Sequence, residues 1–185
     1  LCVIKGRFPS RRAQFCTEEL KTKPMVEYQL GLLDSGEADA IWSWQGIRAE
    51  EGGRRRYALE FEEVGGGIWT YRPILRWRAA DCFEAMAECG IKPNPLYRLG
   101  MSRVGCMPCI NAAKAEVLEI SKRFPEHIDR IEEWESVVKL ASKRGGATFF
   151  AAPTADARGA QRGNSIRAYV HWSRTSKGWR TEDIF

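Results

Sequence analysis

No apolar run in the 185 residues approaches the roughly 20-residue length that a membrane-crossing helix needs. The opening LCVIKGRFPSRR breaks its apolar start at Lys5, which is too early for a secretory signal. Neither an internal repeat nor a coiled-coil heptad recurs, so solenoid and coiled-coil architectures are excluded. The six cysteines lack the spacing of a disulfide frame, and 44% hydrophobic with 11% aromatic residues is ample for a packed core without one. Those thiols therefore point to metal or cluster ligation. The expectation is a globular cytoplasmic protein without membrane association. Its length suits one domain. LCVI reads as the tail of a buried strand, so the chain is expected to be a piece of a longer one.

What is present begins with charge. The formal net charge of +5 is modest but clustered, in KGRFPSRR (residues 5–12) and in RRR (residues 54–56). Such patches attract phosphate, sulfate or nucleic acid, or they serve as a solvated face that keeps the chain soluble.

Residues 5–12 read as a loop because Gly6, Pro9 and Ser10 punctuate them, and a short helix is expected from about Thr17, ended or kinked by Pro24. ADAIWSWQGIR has the apolar, aromatic content of a buried strand, which would place Arg48 at a strand end. YALEFEEV and IWTYRPIL are two more strands around a turn at residues 65–67. WRAADCFEAMAECG is a helix stopped by Gly90. INAAKAEVLEISKRF predicts a helix following directly on Cys109, and Pro125 suits the first position of the next one. Residues 145–164 are expected to be a mobile loop, and SIRAYVHW a closing strand. A division into residues 1–143 and a loop-and-tail region at 144–185 follows.

Cys106 and Cys109 form a Cys-x-x-Cys, a spacing that turns both sulfurs to one side and can bind one metal or two corners of a cluster. One pair is not a site, and Cys2, Cys16, Cys82 and Cys89 are the other candidates. Cys82 and Cys89, seven residues apart on one helix, also suit ordinary buried positions.

Five segments stand in a fixed order: QFCTEELK (14–21), GIRAEE (46–51), YRPILRW (71–77), GIKPNPLY (90–97) and GMSRVGCMPC (100–109). Together they resemble the phosphoadenosine phosphosulfate reductase family, over residues 5 to about 135. The resemblance implies an α/β fold, a partial Rossmann-like parallel sheet of the adenine nucleotide alpha hydrolase type with flanking helices, followed by a C-terminal helical and loop region. It implies binding of ATP or an adenylyl sulfate at the carboxyl ends of parallel strands, as open α/β sheets generally bind ligands. In the cluster-bearing branch of the family, a tandem Cys-Cys and a later Cys-x-x-Cys hold a [4Fe-4S] cluster. Cys16, Cys106 and Cys109 match three of those ligands. Phe15 stands where the first tandem cysteine would be, which leaves an open iron position or a fourth ligand such as Cys89. Zinc is the alternative occupant.

Arg48 matches the arginine that meets the phosphosulfate, a role suited to the guanidinium fork. Gly52 stands where relatives often carry a serine, followed by Gly53 and then by Arg54 as a further anion contact. Lys21 and Arg12, flanking Cys16, are additional anion candidates, and Arg103 could donate to cluster sulfurs or to a substrate anion. The family's Ser-Gly-Gly-x-Asp-Ser phosphate loop and its Glu-Cys-Gly-Leu-His tail have no counterpart in these residues, and ECG at 88–90 lies on a helix end instead. Those departures resemble phage and defence-associated members.

The reading that results is an iron-sulfur enzyme of sulfur transfer, or of adenylyl sulfate reduction, served by a thiol reductant or a sulfur-donor protein. The alternatives are a zinc-stabilised nucleic-acid-binding module, to which WSRTSKGW (172–179) would contribute, and a truncated inactive remnant.

Overall fold

The computed structural model describes residues 1–150 and 165–176. In chain order its elements are α1 (Cys2–Lys5), α2 (Phe15–Thr17), a π-helical turn (Glu18–Thr22), α3 (Lys23–Asp34), β1 (Ile41–Trp44), β2 (Phe61–Gly65), β3 (Ile68–Tyr71), α4 (Ala79–Glu88), α5 (Lys114–Arg123), α6 (Pro125–Ala141) and α7 (Ile166–Ser173). Short 3-10 turns occupy Ala49–Glu51, Gly53–Tyr57 and Pro95–Leu99. The chain forms two compact units: Leu1–Cys16 with Asn94–Phe185, and Thr17–Pro93.

The Thr17–Pro93 unit holds a sheet of order β1-β3-β2. β1 runs parallel to β3, pairing Ile41 with Ile68 and Trp44 with Tyr71, and β2 runs antiparallel to β3. This is the expected α/β arrangement with a partial parallel sheet. The β2–β3 turn uses Gly65, Gly66 and Gly67, all at positive φ, where L side chains are strained. Pro24 begins α3 instead of ending the preceding turn: it occupies the first turn, where its missing N–H costs nothing.

β1 differs from its expectation as a buried strand. A pleated strand sends alternate residues to opposite faces, so Trp42 and Trp44 point outward and are 51% and 70% exposed, while Ile68 and Thr70 of β3 are buried. On the outer face Trp42 stacks on Trp69 at 5.8 Å and Phe61 on Tyr71 at 4.5 Å between ring centroids. The buried Arg72 ties the unit together: it donates to Gln45 Oε1 at 3.0 Å and to the Leu59 carbonyl at 2.7 Å, and pairs with Glu62 at 2.7 Å.

The other unit is built on a helical core of Met101, Ala112, Val117, Ile120, Ile128 and Ile131, joined by Phe150, Ile166 and Val170. α6 starts at Pro125 as its sequence predicts. α5 starts at Lys114, four residues later than expected, because Ala112 N–H closes a turn on the Cys109 carbonyl at 2.8 Å and Glu116 accepts the Ala113 N–H at 3.4 Å.

SIRAYVHW is a helix, not a strand. Ser165 Oγ accepts the Ala168 N–H at 3.3 Å as an N-cap, and the buried Ile166, Val170 and Ser173 follow the helical spacing of four and three. LCVI is likewise a single helical turn, closed by Gly6 at φ +61°. A Cβ on Gly6 would lie 2.9 Å from the Ala141 carbonyl oxygen. Of the expected loop at 145–164, residues 151–164 lie outside the described residues, and Phe150 is packed in the core.

Candidate functional site

Cys106 and Cys109 sit on a loop pinned at both ends by core residues, Met101 before it and Ala112 after it. Beneath the loop lies Glu116, 1% exposed, whose Oε2 accepts from Ser102 Oγ at 3.3 Å and from the Ala113 N–H. Burial pushes the Glu116 carboxyl above its ordinary range, against the pull of those donors and of Arg103. Arg103 is thus placed beside a carboxylate of its own unit. Cys106 is exposed and Cys109 half-buried, and the Asn111 N–H donates to Cys109 Sγ at 3.5 Å.

Cys16 lies in the same unit, half-buried on α2. Its thiol neighbours Cys2, where burial first and Cys16 second push the Cys2 thiol up. The preceding Phe15 is buried, with Lys5 Nζ at 6.0 Å and Arg7 Cζ at 5.8 Å from its ring centre. A cluster or a zinc ion needs at least three of these thiols around one point. Among the described residues, no three Cys, His, Asp or Glu side chains are so grouped. The donor chemistry suits a soft metal, but the positions do not fit one. Cys82 and Cys89 belong to the other unit; Cys89 is exposed at the end of α4.

In the Thr17–Pro93 unit, Arg48 follows β1 as expected. Its Nε donates to Glu50 Oε1 at 3.1 Å, one NH group lies 3.6 Å from Glu51, and the other donates to Cys82 Sγ at 3.8 Å. The segment after β3 runs beside it, with the Ala49 N–H donating to the Leu75 carbonyl at 2.8 Å. Glu50 Oε1 also accepts the Ala79 N–H at the start of α4 at 2.7 Å. The loops leaving the carboxyl ends of the parallel pair thus carry Arg48, Arg54, Arg55, Arg56, Arg76 and Arg78. Arg54 lines a shallow hollow with Arg56 and Tyr57. Lys21 is exposed on the π-helical turn.

Arg12 belongs instead to an open cleft of about 790 Å³ in the Leu1–Cys16 and Asn94–Phe185 unit. Lys143 and Arg144 share this cleft, a pairing that charge runs alone do not reveal. Lys114, behind Trp172, is also a product of tertiary packing: its Nζ lies 4.6 Å from that ring, and burial lowers its pKa.

Comparison with known proteins follows the ordered motifs. The phosphoadenosine phosphosulfate reductase domain matches residues 6–112, more than half of the chain. The chain is 43% identical over 195 aligned positions to the "Uncharacterized 37.8 kDa protein in gpa 5'region" of Escherichia phage 186, covering 100% of the chain and 58% of that protein. It is 33% identical over 119 positions to the adenosine 5'-phosphosulfate reductase of Neisseria meningitidis serogroup B, covering 60% and 44%, and 27% identical over 99 positions to that of Deinococcus radiodurans, covering 54% and 36%. The chain therefore spans between a third and three-fifths of the length of these relatives. No solved structure matches it. The domain match and the motif order together place the chain in the phosphoadenosine phosphosulfate reductase family.

Proposed function

We propose that this chain is part of an enzyme of sulfur metabolism that binds an adenylylated sulfate or a related adenine nucleotide, with Arg48 as the principal anion contact. The observation that carries this reading is the convergence of arginine-bearing loops at the carboxyl ends of β1 and β3, the end at which open α/β sheets bind ligands. Arg48 is held in place by Glu50 and Glu51, so its fork is oriented before any ligand arrives. A sulfate or phosphate oxygen pair would take over from these carboxylates through two parallel hydrogen bonds. Lys21 and Arg54 are proposed as outer contacts.

The names of the Neisseria and Deinococcus relatives support the substrate class. The thiols of Cys16, Cys106 and Cys109 are proposed for the sulfur side of the chemistry, with a thiol reductant or sulfur-donor protein as partner. Calorimetric titration of adenosine 5'-phosphosulfate into the chain tests the reading. Arg48→Ala is expected to weaken binding about tenfold or more, since a hydrogen bond to a charged group is worth about 1.5–3 kcal/mol. Arg123→Ala, on α5, is expected to leave it unchanged. Equal affinity in wild type and Arg48→Ala would remove Arg48 from the site.

A further inference from the structure

The cleft that contains Arg12 is not accounted for by the adenylyl-sulfate reading. Its cations come from two stretches far apart in sequence: Lys5, Arg7, Arg11 and Arg12 from the first, Lys143 and Arg144 from the second. The two stretches meet where Gly6 approaches the Ala141 carbonyl, so closely that a Cβ there would lie 2.9 Å from its oxygen. No Asp or Glu is among the described lining residues. Between the cations the lining is aromatic. Phe150 stacks on Tyr169 at 4.3 Å, and Tyr169 meets Trp172 edge-on at 5.1 Å, while Phe149 packs edge-on against Phe8 at 5.4 Å. Phe149, Tyr169 and Trp172 are only half-buried, with Lys114 on one face of the Trp172 ring and Phe150 on one face of Tyr169.

We propose that this cleft binds a short run of single-stranded nucleic acid, its phosphates on the cations and its bases against the aromatic wall. A lone phosphate or sulfate would have no use for the rings. A duplex hides the faces of its bases within the stack, whereas a single strand offers them together with a regular line of charge. Burial raises the pKa of the Tyr169 hydroxyl, with the Arg11 guanidinium opposing it, and Arg11 and Tyr169 both line the cleft.

Fluorescence anisotropy with a labelled oligothymidylate of about a dozen nucleotides tests the proposal on the whole chain. The expected result is binding that falls with salt, and a salt slope that drops by about 0.7 for each cleft cation removed. The variant Arg11→Ala with Lys143→Ala is expected to weaken binding about tenfold or more at moderate salt. Arg130→Ala, exposed on α6 away from the cleft, serves as the charge control and is expected to bind as wild type. Circular dichroism of each variant separates loss of fold from loss of contact. The proposal is overturned if the oligonucleotide does not bind, if Arg130→Ala weakens binding as much as the cleft variant, or if a duplex of the same length binds equally well. It is also overturned if free AMP displaces the strand at equal phosphate concentration, because the cleft would then be a mononucleotide site. Adenosine 5'-phosphosulfate affinity is expected to be unchanged in the cleft variant, which keeps this test separate from that of Arg48.

Discussion

Glu135 is a carboxylate placed where few carboxylates are found. It is buried on α6, and its oxygens accept the Phe149 N–H at 2.8 Å and the Ile166 N–H at 2.9 and 3.1 Å. Burial pushes its pKa above the ordinary value of 4.5, outweighing those two donors. A raised carboxyl pKa means that the folded state holds the proton more tightly than the unfolded chain does. The associated stability is full below pH 4.5 and is lost as pH rises through the folded value. Glu116 contributes in the same direction, with burial again the main cause. In Glu135→Gln the amide oxygen can still accept both N–H groups, while the charge is gone. Thermal unfolding between pH 4.5 and pH 7 is therefore expected to show a smaller decline in this variant than in wild type. An identical decline would show that Glu135 is ionised in the fold at no cost.

At the scale of elements, the sequence was most legible where a single residue type dictates geometry. Pro125 opens α6, Gly65, Gly66 and Gly67 form the β2–β3 turn, and β1 and β3 lie within the segments expected as strands, while β2 runs one residue past its segment to Gly65. It was least legible where composition and period disagree. SIRAYVHW has the β-branched and aromatic content of a strand, yet its buried positions at 166, 170 and 173 repeat at the helical period. LCVI has a buried strand's composition but is too short to show any period, and the left-handed Gly6 ends it as a helical turn. That glycine offers a test at the scale of elements. Gly6→Ala combines positive φ with a contact that must shift, and is expected to cost about 1–3 kcal/mol in chemical denaturation. A smaller loss would mean that the Leu1–Gly6 turn separates from α6 at little cost.

At the scale of the molecule, the motifs named the family, but they did not show which side chains the fold brings together. The spacing of Cys106 and Cys109 says nothing of where Cys16 lies, and the chain holds the three without grouping them around one point. The thiol positions predict less than one iron or zinc per chain in anaerobically purified protein, measured by metal and sulfide analysis. A full complement that disappears in Cys109→Ser would mean that the Met101–Ala112 loop moves to join Cys16, as the family resemblance implies. The cleft was equally hidden, because residues 5–12 and 143–144 meet only through packing. Charge runs reveal half of such a site at most.

Glu50 carries a consequence of another kind. Its Oε1 serves two donors at once, the Arg48 guanidinium and the first amide of α4. An anion that draws Arg48 away would leave that oxygen to the Ala79 N–H alone, which strengthens the remaining bond and firms the start of α4. Occupancy of the arginine would in this way be transmitted into the helix through one shared acceptor. On the proposed reading, the carboxylate that holds Arg48 would also be the link by which anion engagement is felt elsewhere in the same unit.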